Sequence, residues 1–192
     1  GMHTLRECGY LPGDSAIVIG AGAIGIIHAM LLRHFGCLNL VVAEPDPKRA
    51  GVARKLGFTV IDSTPETLEQ AKAGHTGGDG FDWVLDCAGV QPVADRLFEL
   101  VRVKGTIIVV AGYKKPAALP LIQGMFKEPA IRFVRVYRPR DFELAVDFVA
   151  RTPGLEALIT HVLPPEKAME GFELLTTPGT GAMKEMFDFK EE

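Results

Sequence analysis

Gly20, Gly22 and Gly25 follow an apolar run in the order Gly20-Ala21-Gly22-Ala23-Ile24-Gly25, and Glu44 closes the next apolar run, 24 residues beyond the first glycine. This is the G-x-G-x-x-G spacing with a distal acid, and residues of these types so spaced can seat a dinucleotide. Gly20 lets the chain turn sharply, and Gly22 removes the Cβ that would block a pyrophosphate. Gly25 lets the next helix lie close to the strand. The free N–H groups and positive dipole end of that helix, from Ala23 and Ile24 onward, then face the phosphates. Glu44 is placed to accept both hydroxyls of the adenosine ribose. Its charge repels a 2′-phosphate, so NAD is favoured over NADP. Arg49 reads as a residue lying over the adenine or bonding the ribose, or as an exposed helix residue. Pairing of Arg49 with a 2′-phosphate would weaken the preference for NAD.

Other chemistries find less support. The sequence has no C-x-x-C, no H-E-x-x-H and no Cys/His cluster, so no metal site is expected in it. Cys8, Cys37 and Cys87 are odd in number and widely spaced, which argues against a disulfide framework and suits a reducing cytoplasm. Cys87 has no partner His or second Cys nearby, and Asp86 before it reads as a buried acceptor for backbone N–H groups rather than an acid or base. His28 reads as a packing histidine and His161 as structural. Arg132, Arg135, Arg138 and Arg140 form a solvated rim, because a net charge of −3 gives no basic excess for nucleic acid or an anionic membrane. The longest apolar stretch, 24–32, is too short to span a bilayer and carries His28. The first residues show no secretory leader, and Gly1 ahead of Met2 reads as a tag-cleavage remnant.

The elements that must position these residues alternate. Expected strands at 16–20, 38–43, 58–61, 81–87, 105–111 and 131–137 are separated by helices at 23–35, 47–56, 64–73, 91–101 and 139–150. Continuous apolar runs such as 38–43 mark parallel strands covered on both faces. Arg33, His34 and Gly36 close the first of these helices, Asp46-Pro47 opens the second, and Ser63-Thr64-Pro65-Glu66 fits a capping box for the third. Residues 74–80 read as a loop, and 114–123 as a loop with one irregular turn. The fold class is therefore α/β, a doubly wound six-stranded parallel sheet in the order 3-2-1-4-5-6. A dinucleotide-binding domain spans 1–150. The tail 151–192 breaks the alternation with a short strand at 159–163, a helix at 165–175, a Pro/Gly turn and a last strand at 183–189.

Taken together, the chain resembles the cofactor-binding half of the zinc-type medium-chain dehydrogenases, the alcohol, sorbitol and threonine dehydrogenase superfamily. The resemblance covers essentially the whole chain. Besides the glycine turn it rests on Leu11-Pro12-Gly13-Asp14-Ser15, Glu44-Pro45-Asp46-Pro47-Lys48-Arg49, Thr76-Gly77-Gly78-Asp79-Gly80-Phe81-Asp82 and Leu85-Asp86-Cys87-Ala88-Gly89. It continues through Lys104-Gly105-Thr106-Ile107, Lys127-Glu128-Pro129-Ala130-Ile131, Ile159-Thr160-His161-Val162-Leu163 and Phe172-Glu173-Leu174-Leu175.

The resemblance implies hydride transfer at nicotinamide C4, with zinc polarising the alcohol or carbonyl oxygen. The zinc ligands of that family lie in an N-terminal domain, so this chain is expected to bind no zinc, to hold no catalytic residue and to be inactive without that domain. By resemblance, Cys87, Ala88 and Gly89 let the backbone approach the cofactor, and Ala111, Gly112 and Tyr113 border the nicotinamide. Arg135, Tyr137 and Arg138 read as exposed strand-end residues, although backbone there contacts the carboxamide in a complete enzyme. The family also implies a homodimer through the edge strand, over 127–137, and a return of 151–192 to the catalytic domain. Without that domain the tail is expected to be disordered or exchanged between subunits. A stand-alone nucleotide sensor, a subunit of a split enzyme and an S-adenosylmethionine-binding protein are the alternatives.

Overall fold

The computed structural model describes residues 1–177 and 179–189. A short helix, α1 (Met2–Cys8), leads to β1 (Ala16–Ile19), α2 (Ala23–His34), β2 (Leu40–Ala43), α3 (Pro47–Lys55), β3 (Thr59–Ile61) and α4 (Pro65–Thr76). Then come β4 (Phe81–Asp86), α5 (Gln91–Ala94), α6 (Leu97–Leu100), β5 (Val101–Val109), α7 (Leu121–Lys127), β6 (Ala130–Phe133) and α8 (Pro139–Arg151). The six strands form one parallel sheet in the order β3-β2-β1-β4-β5-β6, as the alternation predicts.

Residue parity shows that both faces are covered. Ala16 and Val18 of β1 join one buried cluster with Met30 and Leu31, whereas Ile17 and Ile19 join another with Leu68 and Leu97. Alternate side chains thus reach opposite helical layers. An irregularity where β4 meets β5 breaks the rule, β5 advancing five residues from Val101 to Thr106 while β4 advances two from Phe81 to Trp83. Phe81 and Val84 share a face, and the pairing with β5 shifts between Phe81 and Trp83. Gly80 at φ 104° admits this irregularity, because a Cβ there would lie 2.7 Å from Arg102 N.

Local signals placed most boundaries. Asp46 caps α3 by accepting from Lys48 N and Arg49 N at 2.9 and 3.0 Å, with Pro47 in the first turn. Gly36, at φ 91°, ends α2 while Cys37 N reaches Leu32 O at 2.9 Å.

Several expectations need correction. The cap of α4 is Thr64, which accepts from Thr67 N at 3.3 Å, so the Ser63 to Glu66 box does not form. Pro65 takes the first helical position and makes its predecessor the cap. The helix also runs on to Thr76 before Gly77 turns left-handed. The single helix expected at 91–101 is two short ones, because Arg96 N→Val93 O and Glu99 N→Arg96 O tighten the backbone between them. The expected loop at 114–123 gives way to α7 from Leu121 onward, and β6 stops at Phe133.

The described part of the tail holds two strands and a helix. Strands β7 (Ile159–Leu163) and β8 (Lys184–Phe187) pair in parallel across α9 (Ala168–Thr176). Leu158 and Met183 enter the same buried cluster as Val18. The turn expected at the proline and glycine after Thr177 involves Pro178, which lies outside the described residues.

Candidate dinucleotide-binding cleft

The glycine turn stands at the C-terminal edge of the sheet, where β1 and β4 send their connections in opposite directions. That crevice is where open α/β sheets bind ligands. Gly20 has φ 104°, and a Cβ on it would meet Cys87 C at 3.1 Å and Ala88 N at 3.2 Å. At Gly25 a Cβ would fall 1.8 Å from Gly20 O, so this position must be glycine for α2 to sit against β1. Around the Cβ position of Gly22 there is nothing within 4 Å. The three glycines thus do three different jobs: a turn, an open floor and a close approach. No side chain caps the first turn of α2, so its amides are available to an anion.

Glu44 is 7% exposed and holds the turn from behind. Its Oε2 accepts from Ala21 N at 2.6 Å and its Oε1 from Asp46 N at 2.9 Å. An ionised carboxylate has about four acceptor sites, so two bonds leave capacity for ribose hydroxyls. Glu44, Arg49, Gly22 and Cys87 line a cavity of about 580 Å³ over the face of Ile19, Leu68 and Val93. Arg49 also makes a contact that the sequence did not suggest. Its Nη2 donates to Ala182 O of the tail at 2.9 Å, while its buried Nε has no partner among the described residues.

A second cavity, about 630 Å³, lies on the other face and is lined by Ile24, His28, Ala111, Gly112, Arg135 and Tyr137. The turn therefore lies between two spaces, one reaching Glu44 and one reaching the ends of β5 and β6. Asp86 is fully buried and braces the next turn. Its Oδ1 accepts from Ala88 N and Gly89 N at 3.0 and 2.9 Å, and its Oδ2 from Tyr113 Oη at 2.5 Å. Gly89, at φ 67°, approaches Ala111 so closely that a Cβ would lie 2.9 Å from the Ala111 Cβ. Tyr113 does not join Ala111 and Gly112. Its side chain points to Asp86 and a separate apolar cavity. Burial, then Asp86, pushes the Tyr113 hydroxyl well above its ordinary value.

Two titratable groups near the turn are held toward their neutral forms. Burial, reinforced by the Asp86 charge, pushes the Cys87 thiol far up, which disfavours the reactive thiolate. Burial lowers His28 to about 4, leaving a neutral ring between Thr4 Oγ1 at 2.9 Å and Ile24 O at 2.8 Å. Within the rim, Arg138 pairs with Glu7 at 3.1 Å and Arg140 with Glu143 at 2.8 Å. Among the described residues no group of three or more His, Cys, Asp or Glu could hold a metal ion, and no helix is long and apolar enough to cross a membrane.

Sequence reasoning missed Asp62, Ser63 and Arg96, which also line the Glu44 side of the cleft. Ser63 Oγ is buried without a partner among the described residues, as a group awaiting a ligand would be. Its position directly after β3 was the available signal, since ligands gather at the carboxyl ends of parallel strands.

A chain with this cleft has relatives. The family described as "Zinc-binding dehydrogenase" matches residues 23–151. Sorbitol dehydrogenase of Ovis aries is 26% identical over 178 residues, which are 90% of this chain and 50% of that protein. Alcohol dehydrogenase from Thermus sp. ATN1 superposes with a TM-score of 0.83 at 26% identity, over 98% of this chain and 55% of that one. An alcohol dehydrogenase of Thermotoga maritima reaches a TM-score of 0.87 at 24% identity, over 97% of this chain and 53% of that one. The chain spans about half the length of these proteins. With the sheet order, the glycine turn and a family match over most of its length, this chain belongs to the zinc-binding dehydrogenases, as the cofactor-binding part of a zinc-type medium-chain enzyme.

Proposed function

We propose that this chain seats NAD(H) for an oxidoreductase that interconverts an alcohol and a carbonyl compound. The observation that carries the reading is the open floor at Gly22 below the uncapped first turn of α2, with Glu44 buried at its edge. In this reading the pyrophosphate bonds the amides of Ala23, Ile24 and Gly25, and the remaining lone pairs of Glu44 take the ribose hydroxyls. Ser63 and Arg49 line the space left for the adenosine. The cofactor crosses the turn and lays its nicotinamide toward Ala111 and Gly112. When bound, it supplies the hydride acceptor or donor at C4, and an alcohol yields a carbonyl compound, a reduced cofactor and a proton. In this reading the part of this chain is to hold and orient the cofactor. The same reading places a catalytic domain against the tail, a homodimer along β6, and the protein in the cytoplasm, where its three free cysteines stay reduced.

Titration of the chain with NADH, NADPH and S-adenosylmethionine tests the reading. NADH is expected to bind at least about tenfold more tightly than NADPH, because Glu44 repels a 2′-phosphate. Glu44→Ala should remove that margin. Tight binding of S-adenosylmethionine alone, or equal affinity for both nicotinamide cofactors, overturns it.

A further inference from the structure

A third cavity, of about 520 Å³, lies outside the cofactor cleft and the proposed function leaves it unused. Residues of α5, α6 and their junction divide the two spaces. Val93 and Arg96 line the cleft, while Ala94, Leu97 and Phe98 line the other cavity. Its floor is Ile107 of β5 and Ile131 of β6, and its roof is the segment 113–119.

The roof is fastened at both ends. Tyr113 Oη bonds Asp86 at 2.5 Å. At the far end the Gln91 side chain clamps Ala118 in both directions, Nε2 to the carbonyl at 3.0 Å and Oε1 from the N–H at 2.9 Å. The space is therefore bounded by a loop tied down at both ends and by helix and strand residues. Its size falls within the range of sites for small molecules.

The lining is apolar apart from Tyr113 and two adjacent lysines, Lys114 and Lys115, both exposed at the rim. Neither lysine has a carboxylate partner among the described residues, although most other cations near this face are paired or bonded. An apolar interior with two unpaired cations at its mouth matches a ligand that has a hydrocarbon body and one anionic end.

We propose that this cavity binds a small amphipathic anion, a medium-chain carboxylate. Its chain lies on Ile107 and Leu97 under the 113–119 roof, and its carboxylate meets Lys114 and Lys115.

Calorimetric titration of the chain with octanoate and with octanol tests the proposal. Octanoate should bind saturably, one per chain, about tenfold more tightly than octanol, the margin of one charge-assisted contact. Replacing both lysines (Lys114→Gln with Lys115→Gln) should reduce octanoate to the affinity of octanol. Ala117 is exposed on the roof, so Ala117→Trp can fill the cavity without disturbing the core. That variant should lose both ligands while melting at the unchanged temperature. NADH at saturation should not displace octanoate.

No saturable binding, binding indifferent to Ala117→Trp, or displacement by NADH each overturns the proposal. The last would assign octanoate to the cofactor cleft. Loss of octanoate binding only at concentrations where the chain dimerises would also overturn it, by giving the cavity to a second copy. Failure of NADH to bind would count against the proposed function and leave the octanoate result readable.

Discussion

At Gly25 and Gly22 the same substitution should have opposite meanings. Gly25→Ala drives a methyl group into the Gly20 carbonyl. Overpacking against backbone belongs at the upper end of the usual range, about 3 kcal/mol, and a thermal melt should show the loss. Gly22→Ala meets no protein atom. It should cost at most about 1 kcal/mol through its cap position, yet weaken NADH at least about tenfold because the methyl group occupies the pyrophosphate floor. His28 gives a pH signature. Its folded value of about 4 lies below its ordinary 6.5, so between these the unfolded chain binds a proton that the folded chain refuses. Stability contributed above pH 6.5 should therefore fall as the pH drops toward 4, and His28→Gln should flatten that slope in denaturant titrations. The turn residues and Glu44 were legible because glycine spacing has few other uses. Ser63 was passed over because its place after β3 reads as part of a helix cap, and the tail contact of Arg49 was hidden because a contact 133 residues away leaves no local pattern.

Among the elements, the connection after β4 and the loop after β5 act as one unit, joined through Asp86. Tyr113→Phe removes one hydrogen bond to a buried carboxylate and should cost about 2 kcal/mol. It should also speed amide exchange at Ala88 and Gly89, whose N–H groups rest on the same carboxylate. Unchanged stability together with unchanged exchange would contradict this coupling. The parallel strands were readable because burial on both faces leaves continuous apolar runs. The split of α5 from α6 was hidden because their sequence carries no glycine between Gln91 and Leu100 to announce a break. Helix α7 was missed for a different reason. Leu121, Ile122, Met125 and Phe126 are all 65% or more exposed, so the helix has no core-facing stripe to reveal it.

Those exposed residues matter for the whole molecule. Phe126 of α7 and Phe133 of β6 stand 73% and 76% exposed, and β6 is an edge strand of the sheet. An uncovered edge with apolar flanks invites pairing with another strand. A dimer formed there should dissociate on Phe133→Lys, with the weight-average mass in sedimentation falling toward one chain. A wild-type chain that sediments only as monomer contradicts the dimer. Further exposed apolar residues, Val162, Met169, Phe172 and Met186, lie on the tail.

The measurement that bears most directly on the cofactor reading is a crystal structure of the chain with NADH. The account places the diphosphate on the amides that open α2, above Gly22, with the adenosine ribose on Glu44 and the nicotinamide beside Gly112. Cofactor density anywhere else on the molecule, with the floor above Gly22 vacant, would contradict it.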